Sequence, residues 1–133
     1  MPGFSYSATA SQKKDTLLVH VYLQVYFVRN ESWVLPGNED AYALSHEQIH
    51  FDIARLAEQE FKDSLLSRTF SPQYYPIEIH FLYWDIWRKM TTWEERFDND
   101  THHGMNHGAE GLWAEKVRKA LLSGSGLSLP HDE

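Results

Sequence analysis

The 133-residue chain contains no cysteine, which excludes disulfides and thiolate ligands alike, so any metal it binds must be held by nitrogen and oxygen. A basic surplus is also missing. Twelve Lys and Arg stand against nineteen Asp and Glu, a formal net charge of -7. With no basic stripe to follow a phosphate backbone, neither nucleic acid nor an anionic membrane surface is an expected partner. Long hydrophobic runs are absent too: the longest, residues 17–28, is interrupted by His20 and Gln24 and is too short to cross a bilayer as a helix. Residues 1–12 carry no apolar signal-peptide core, so the expectation is either a cytosolic protein or an exported one whose leader is not in this sequence. No internal repeat is visible.

What is present suits one compact domain. A hydrophobic content of 42% with 14% aromatics supplies a genuine core over residues 1–122 and leaves no room for a second domain. Residues 123–133, rich in Ser and Gly, read as a flexible tail. The five tryptophans are read as core and rim packing.

The pattern opens with strands. Leu17, Val19, Val21, Leu23, Val25 and Phe27 alternate with His20, Tyr22, Gln24 and Tyr26, the signature of a long half-buried strand. Phe4, Tyr6 and Ala8 alternate with Ser5, Ser7 and Thr9 before it, and the polar link over residues 11–15 lets the two pair as a hairpin. Next, Leu35-Pro36-Gly37-Asn38 punctuates the chain, and Asn38 caps a helix expected to run to about Leu66, with Glu39 and Asp40 in its first turn. Ser45 and Gln48 would allow a later start as a capping box; the earlier one is preferred. The apolar stripe of this helix reads Tyr42, Ile49, Ile53, Leu56 and Ala57. Residues 77–95 alternate at first like a strand, but their length and the later steps Phe81, Trp84, Trp87 and Thr91 favour a second helix. A third, over about residues 106–122, places Leu112, Val117, Ala120 and Leu121 on one side. The expected fold class is therefore α+β.

The first helix carries His46-Glu47-Gln48-Ile49-His50. At about 100° per residue, positions i and i+4 lie about 40° apart around the axis and one turn apart along it, so both imidazoles can reach one cation. Glu47 then lies beside the open position, where a carboxylate can take a proton from water that a metal has acidified. Five residues are a short motif in a chain with eight histidines, so context must decide. A catalytic zinc needs a third protein ligand. The histidines past this helix are His80, His102, His103, His107 and His131, three of them crowded into residues 101–107. The alternative for that cluster is a polar helix-to-helix turn. Asp52 and Asp98 are candidates to orient a ligating imidazole, and Thr101 is either a cap or a hydroxyl near the site.

His46-Glu47-Gln48-x-His50-Phe51-Asp52-Ile53, followed by Phe97-Asp98-x-x-Thr101-x-His103-Gly104, resembles an uncharacterised bacterial family of predicted secreted zinc-dependent peptidases with the patterns HEQxHFDI and YDxxTxHG. Ser32-Trp33-Val34 matches a tryptophan that the family carries upstream. The resemblance spans about residues 4–122. It implies a zincin-like fold, a small sheet packed on the metal-binding helix, His103 as third ligand, and export. Phe97 departs from the family's Tyr, so any role of that hydroxyl is missing here.

The expected function is thus a zinc metallopeptidase in which His46, His50 and His103 hold Zn²⁺ and Glu47 is the general base. Its partner is a peptide or protein substrate, with residues 17–28 as an edge strand able to hold an extended chain. The alternative is a non-catalytic zinc-binding or protein-interaction module with a degenerate peptidase site.

Overall fold

In the computed structural model, which describes residues 2–27 and 41–127, an antiparallel hairpin packs on the first two of three helices. The order is β1 (Pro2–Lys13), β2 (Thr16–Phe27), α1 (Ala41–Ser67), α2 (Tyr75–Asp100) and α3 (His107–Ser123). The expected α+β class, with a two-stranded sheet followed by helices, is what the chain forms. Among the described residues no helix is long and apolar enough to cross a membrane.

The strands pair without interruption from Pro2↔Phe27 to Lys13↔Thr16. The connection is tighter than the sequence suggests, because Ser11, Gln12 and Lys13 continue the strand and only Lys14 and Asp15 turn. Lys14 takes a positive φ of 58°, the first-position requirement of a type II′-like two-residue turn. β1 is buried at its start and exposed along its second half, so the hairpin tip projects beyond the helices.

Helix α1 already includes Ala41, so the later start at Ser45 is excluded. Asn38 and the Ser32-Trp33-Val34 match lie outside the described residues, as does the side chain of Tyr42. Ile49, Ile53, Ala54, Leu56, Ala57 and Phe61 form its buried stripe, steps of three and four that keep one face inward.

Residues 77–95 are helical as expected, inside the longer α2, but the buried face differs. Ile79, Leu82, Ile86, Met90, Trp93 and Phe97 point inward, whereas Phe81 and Trp84 are exposed. This largely apolar stripe runs for five turns with Glu94 as its one polar member, and packing so long a face buries more surface than the shorter Phe81–Trp84 one. In α3, likewise, Trp113 is buried with Val117 and Ala120 while Leu112 faces solvent. Asn106 caps α3 by accepting from Ala109 N–H at 3.0 Å, and Gly124 ends it in the left-handed region at φ 70°.

The start of the expected flexible tail is docked. Leu127 is buried, and its N–H donates to Glu60 on α1 at 3.0 Å; burying one leucine is worth about 2 kcal/mol, which offsets the ordering of about one or two residues.

The hairpin meets the helices through aromatic rings. Phe4 packs on Phe61, Tyr83 and Trp87 with centroids 4.9–5.9 Å apart. These anchors lie about eleven residues along each helix from His50 and Asp98, which at 1.5 Å per residue is about 16 Å. The sheet therefore supports one half of the helix pair and leaves the other half for chemistry.

Candidate metal centre

Helices α1 and α2 run antiparallel, so the first turns of α1 face the last turns of α2. His46 and His50, one turn apart on α1, meet Glu94 and Asp98, one turn apart on α2. Both imidazoles point Nε2 at the same oxygen: His50 Nε2 lies 2.7 Å and His46 Nε2 3.2 Å from Asp98 Oδ1. The three donor atoms fall within 4.8 Å of one another. Both histidines are buried, and Asp98 is half-buried.

Each ring is backed by a second carboxylate. His46 Nδ1 is 2.6 Å from Glu110 Oε1 of α3. His50 Nδ1 faces Glu94 Oε1 at 4.0 Å, and neither of those atoms has a hydrogen-bond partner. Phe97, fully buried, is the floor: its ring stacks on His46 with centroids 4.5 Å apart and meets His50 edge-on at 5.0 Å. Trp113 packs on Phe97 at 5.7 Å and donates its indole N–H to Asp100 at 2.9 Å, tying α3 to the end of α2.

The charges are strongly coupled. Burial disfavours the His46 imidazolium, but the hydrogen bonds it donates to Asp98 and Glu110 outweigh that cost and lift its pKa above the ordinary value. Both its ring nitrogens face oxygens that only accept, so without a cation the ring donates twice. Burial likewise pushes the Asp98 carboxyl up, yet the two imidazoles hold it far below the usual carboxylate range. Glu94, 1% exposed, is pushed up to about 8 by burial, with the charges of Asp98 and Glu47 adding to the shift.

The residues fit a divalent cation. Zinc bonds of about 2.0–2.1 Å at tetrahedral angles separate donor atoms by about 3.3–3.4 Å, a spacing that donors already within 4.8 Å of one another reach by side-chain adjustment. With Nε2 committed to a metal, each ring's remaining N–H sits on Nδ1. Closing the 4.0 Å gap would then give Glu94 Oε1 a donor, and Glu110 keeps the one it has. Two imidazoles and one carboxylate would leave room for water or a substrate at a bound cation, which a site closed by four protein ligands would not.

The expected residues divide. His46 and His50 converge, and Glu47 is half-buried in the same turn, close enough for its charge to act on Glu94. His103 is exposed and stands outside the convergent group found among the described residues; the third donor brought to the two histidines is Asp98, expected only as an orienting residue. Asp52 instead accepts from Gln48 at 3.0 Å and Arg55 at 3.2 Å along the α1 surface. His80 is exposed between the Tyr6 hydroxyl at 3.2 Å and the Trp84 indole at 2.8 Å. The edge strand β2 shares a groove with Glu58, Lys62, Leu65 and Leu66 of α1, two turns or more past His50.

The turn over residues 101–106 has its own logic. Thr101 is fully buried, donates its hydroxyl to Phe97 C=O at 2.8 Å and accepts from Gly104 N–H at 3.2 Å. His102, His103 and Gly104 follow with φ of 48°, 57° and 94°. This seats Gly104 on the His46 ring, where a Cβ would lie 3.4 Å from Nδ1. The Thr101-x-His103-Gly104 pattern thus shapes a wall of the site and delivers Glu110 to His46. Sequence reasoning missed Glu94 and Glu110; both interrupt otherwise apolar helix faces, which is the signal that would have found them. Comparison with family models, with curated proteins and with solved structures finds no match.

Proposed function

We propose that this protein is a zinc-dependent hydrolase acting on peptide bonds, with His46, His50 and Asp98 as metal ligands and Glu47 as general base. The observation that carries the reading is the convergence of both Nε2 atoms on one Asp98 oxygen, at 2.7 and 3.2 Å, with a carboxylate behind each ring. In this reading Asp98 takes the position that the family resemblance gives to His103.

When bound, a divalent cation supplies Lewis acidity, which polarises a substrate carbonyl and acidifies water. The chain's own residues do the rest. Glu47 accepts the proton of the attacking water and returns it to the leaving amine. Glu110 and Glu94 fix the tautomers of His46 and His50. Phe97 keeps water from beneath the rings, so the electrostatic interactions above it act in a low dielectric. The peptide substrate class rests on the HExxH helix and on the resemblance to secreted peptidases.

Elemental analysis of protein purified without a nickel column tests the ligand set. About one zinc per chain is expected in the parent and in His103→Ala, with loss in Asp98→Ala. Zinc lost from His103→Ala but kept by Asp98→Ala would return the third position to His103. Iron in place of zinc would redirect the chemistry, because two histidines and a carboxylate also suit ferrous iron. No metal in any of them, even after zinc addition, ends the reading. Glu47→Gln should then keep the metal and lose peptide hydrolysis; metal with no turnover in the parent would leave the non-catalytic module.

A further inference from the structure

Among the described residues, one edge of β2 is unpaired. Its twelve residues, Thr16–Phe27, contain no Lys, Arg, Asp, Glu or Pro, and the pairing with β1 shows no bulge. Proteins that keep an edge strand solitary protect it with such features, because a bare row of N–H and C=O groups templates another strand. Among the described residues nothing pairs with the side of β2 away from β1.

The register says which groups that side presents. A two-residue turn makes Lys13 and Thr16 a hydrogen-bonded pair, so even-numbered residues of β2 turn their peptide groups toward β1 and odd-numbered ones turn theirs away. By the same phase the even residues of β1 face outward. The Phe4 C=O does so, accepting from the Tyr83 hydroxyl at 2.6 Å.

Beside this edge runs a largely apolar groove of about 610 Å³. Its strand wall comes from Val19, Val21, Tyr22 and Leu23 with no residue of β1, and its other walls include Leu65 and Phe70. Val19, Val21 and Leu23 are only half-buried, so the helices leave the inner face of β2 incompletely covered.

We propose that the occupant is β2 of a second copy of this chain, added antiparallel about a two-fold axis to make a four-stranded sheet. The apolar lining of the groove suits a strand with branched aliphatic side chains at every second position, the Glu58 and Lys62 that also line it carry opposite charges and favour neither sign, and β2 is such a strand. Such an interface is self-complementary, each bare edge covering the other and each copy's Val19, Val21 and Leu23 entering its partner's groove. The exposed half of β1, with Ser, Ala, Thr and Gln, offers no comparable apolar burial. The net charge of -7 does not oppose the contact locally, since residues 2–27 carry only Lys13, Lys14 and Asp15. Antiparallel pairing sends the two lysine-bearing tips to opposite ends of the sheet. The proposal stands independently of the metal centre.

Light scattering on the full-length chain over a dilution series should give twice the 15.6 kDa chain mass at high concentration. Val21→Pro removes an outward N–H without touching the pairing to β1, and should give a monomer with the parent's helical circular dichroism. Ala8→Pro makes the matching change on the outer edge of β1 and should remain a dimer. Amide exchange in the parent keeps the test sharp if Val21→Pro fails to fold. The amides of Val19, Val21 and Leu23 should be protected at high concentration and lose protection on dilution. A parent that is monomeric at every concentration, or whose Val19, Val21 and Leu23 amides exchange as fast as those of Ala8 and Ala10, overturns the proposal.

Discussion

His50 Nδ1 and Glu94 Oε1 face each other across 4.0 Å, both buried and both without a hydrogen-bond partner. An imidazole that binds a cation through Nε2 must carry its proton on Nδ1, so loading the site completes this pair. Glu94→Gln keeps the shape but replaces the carboxylate with a weaker acceptor, and zinc affinity should fall by roughly 10–100-fold in a chelator competition. An unchanged affinity would show that Glu94 does not orient His50.

The same substitution has an opposite effect on the metal-free protein. The Glu94 carboxyl is raised from 4.5 to about 8, first by burial and further by the Asp98 and Glu47 charges. A pKa raised on folding contributes stability that is complete below pH 4.5 and is lost as pH rises through 8. With chelator present, the parent should therefore lose on the order of a few kcal/mol over that window through this group, and Glu94→Gln should not. Thermal unfolding of both proteins at pH 5 and pH 8.5 measures the difference. Parallel pH dependence in the two would remove Glu94 as its source.

Gly104 and Gly111 should respond oppositely to alanine. Gly104 has φ 94°, and a Cβ there would touch the His46 ring at 3.4–3.7 Å, an ordinary contact, so the strain lies in the backbone. Gly104→Ala should cost about 1–2 kcal/mol from the backbone alone and weaken metal binding, because relief of that strain moves the turn that lies against the His46 ring. Gly111 lies inside α3 with nothing within 4 Å of its would-be Cβ, and Gly111→Ala should add about 0.5–1 kcal/mol. Denaturant midpoints and zinc titrations of the two variants check both signs; a harmless Gly104→Ala would mean the turn does not position His46.

The hairpin and the helices were legible because their signals are local. Alternation over residues 17–27 and Asn106 before α3 each need only a few neighbours. The buried face of α2 was harder, since Phe81 and Trp84 draw attention while the true stripe from Ile79 to Phe97 is mostly aliphatic. Once that stripe is followed, Glu94 stands inside it and Asp98 directly after it, one turn apart, matching the spacing of His46 and His50. Glu110 shares the buried face of α3 with Trp113, Val117 and Ala120. Which side chain of residues 101–107 reaches the site was not legible. It depends on three successive positive φ values, at His102, His103 and Gly104, that turn His103 outward and Gly104 inward, and no periodicity encodes them.

Tyr83 gives an alkaline test of how the hairpin is fastened. Its hydroxyl donates to the Phe4 C=O at 2.6 Å, an acceptor the strand ladder does not use. Burial, with the neighbouring Tyr26 and Tyr6, pushes the phenol from 10.0 up to about 12. At neutral pH, Tyr83→Phe should cost about 1 kcal/mol, the net worth of one hydrogen bond with a carbonyl left unpaired. The raised pKa means that the parent's advantage is complete below pH 10 and is lost as pH rises through 12, where the ionised phenol can no longer donate. The urea midpoints of parent and variant should therefore differ at pH 8 and draw together by pH 11.5. A gap that stays constant across that range would show that the Tyr83 hydroxyl does not hold the hairpin to α2.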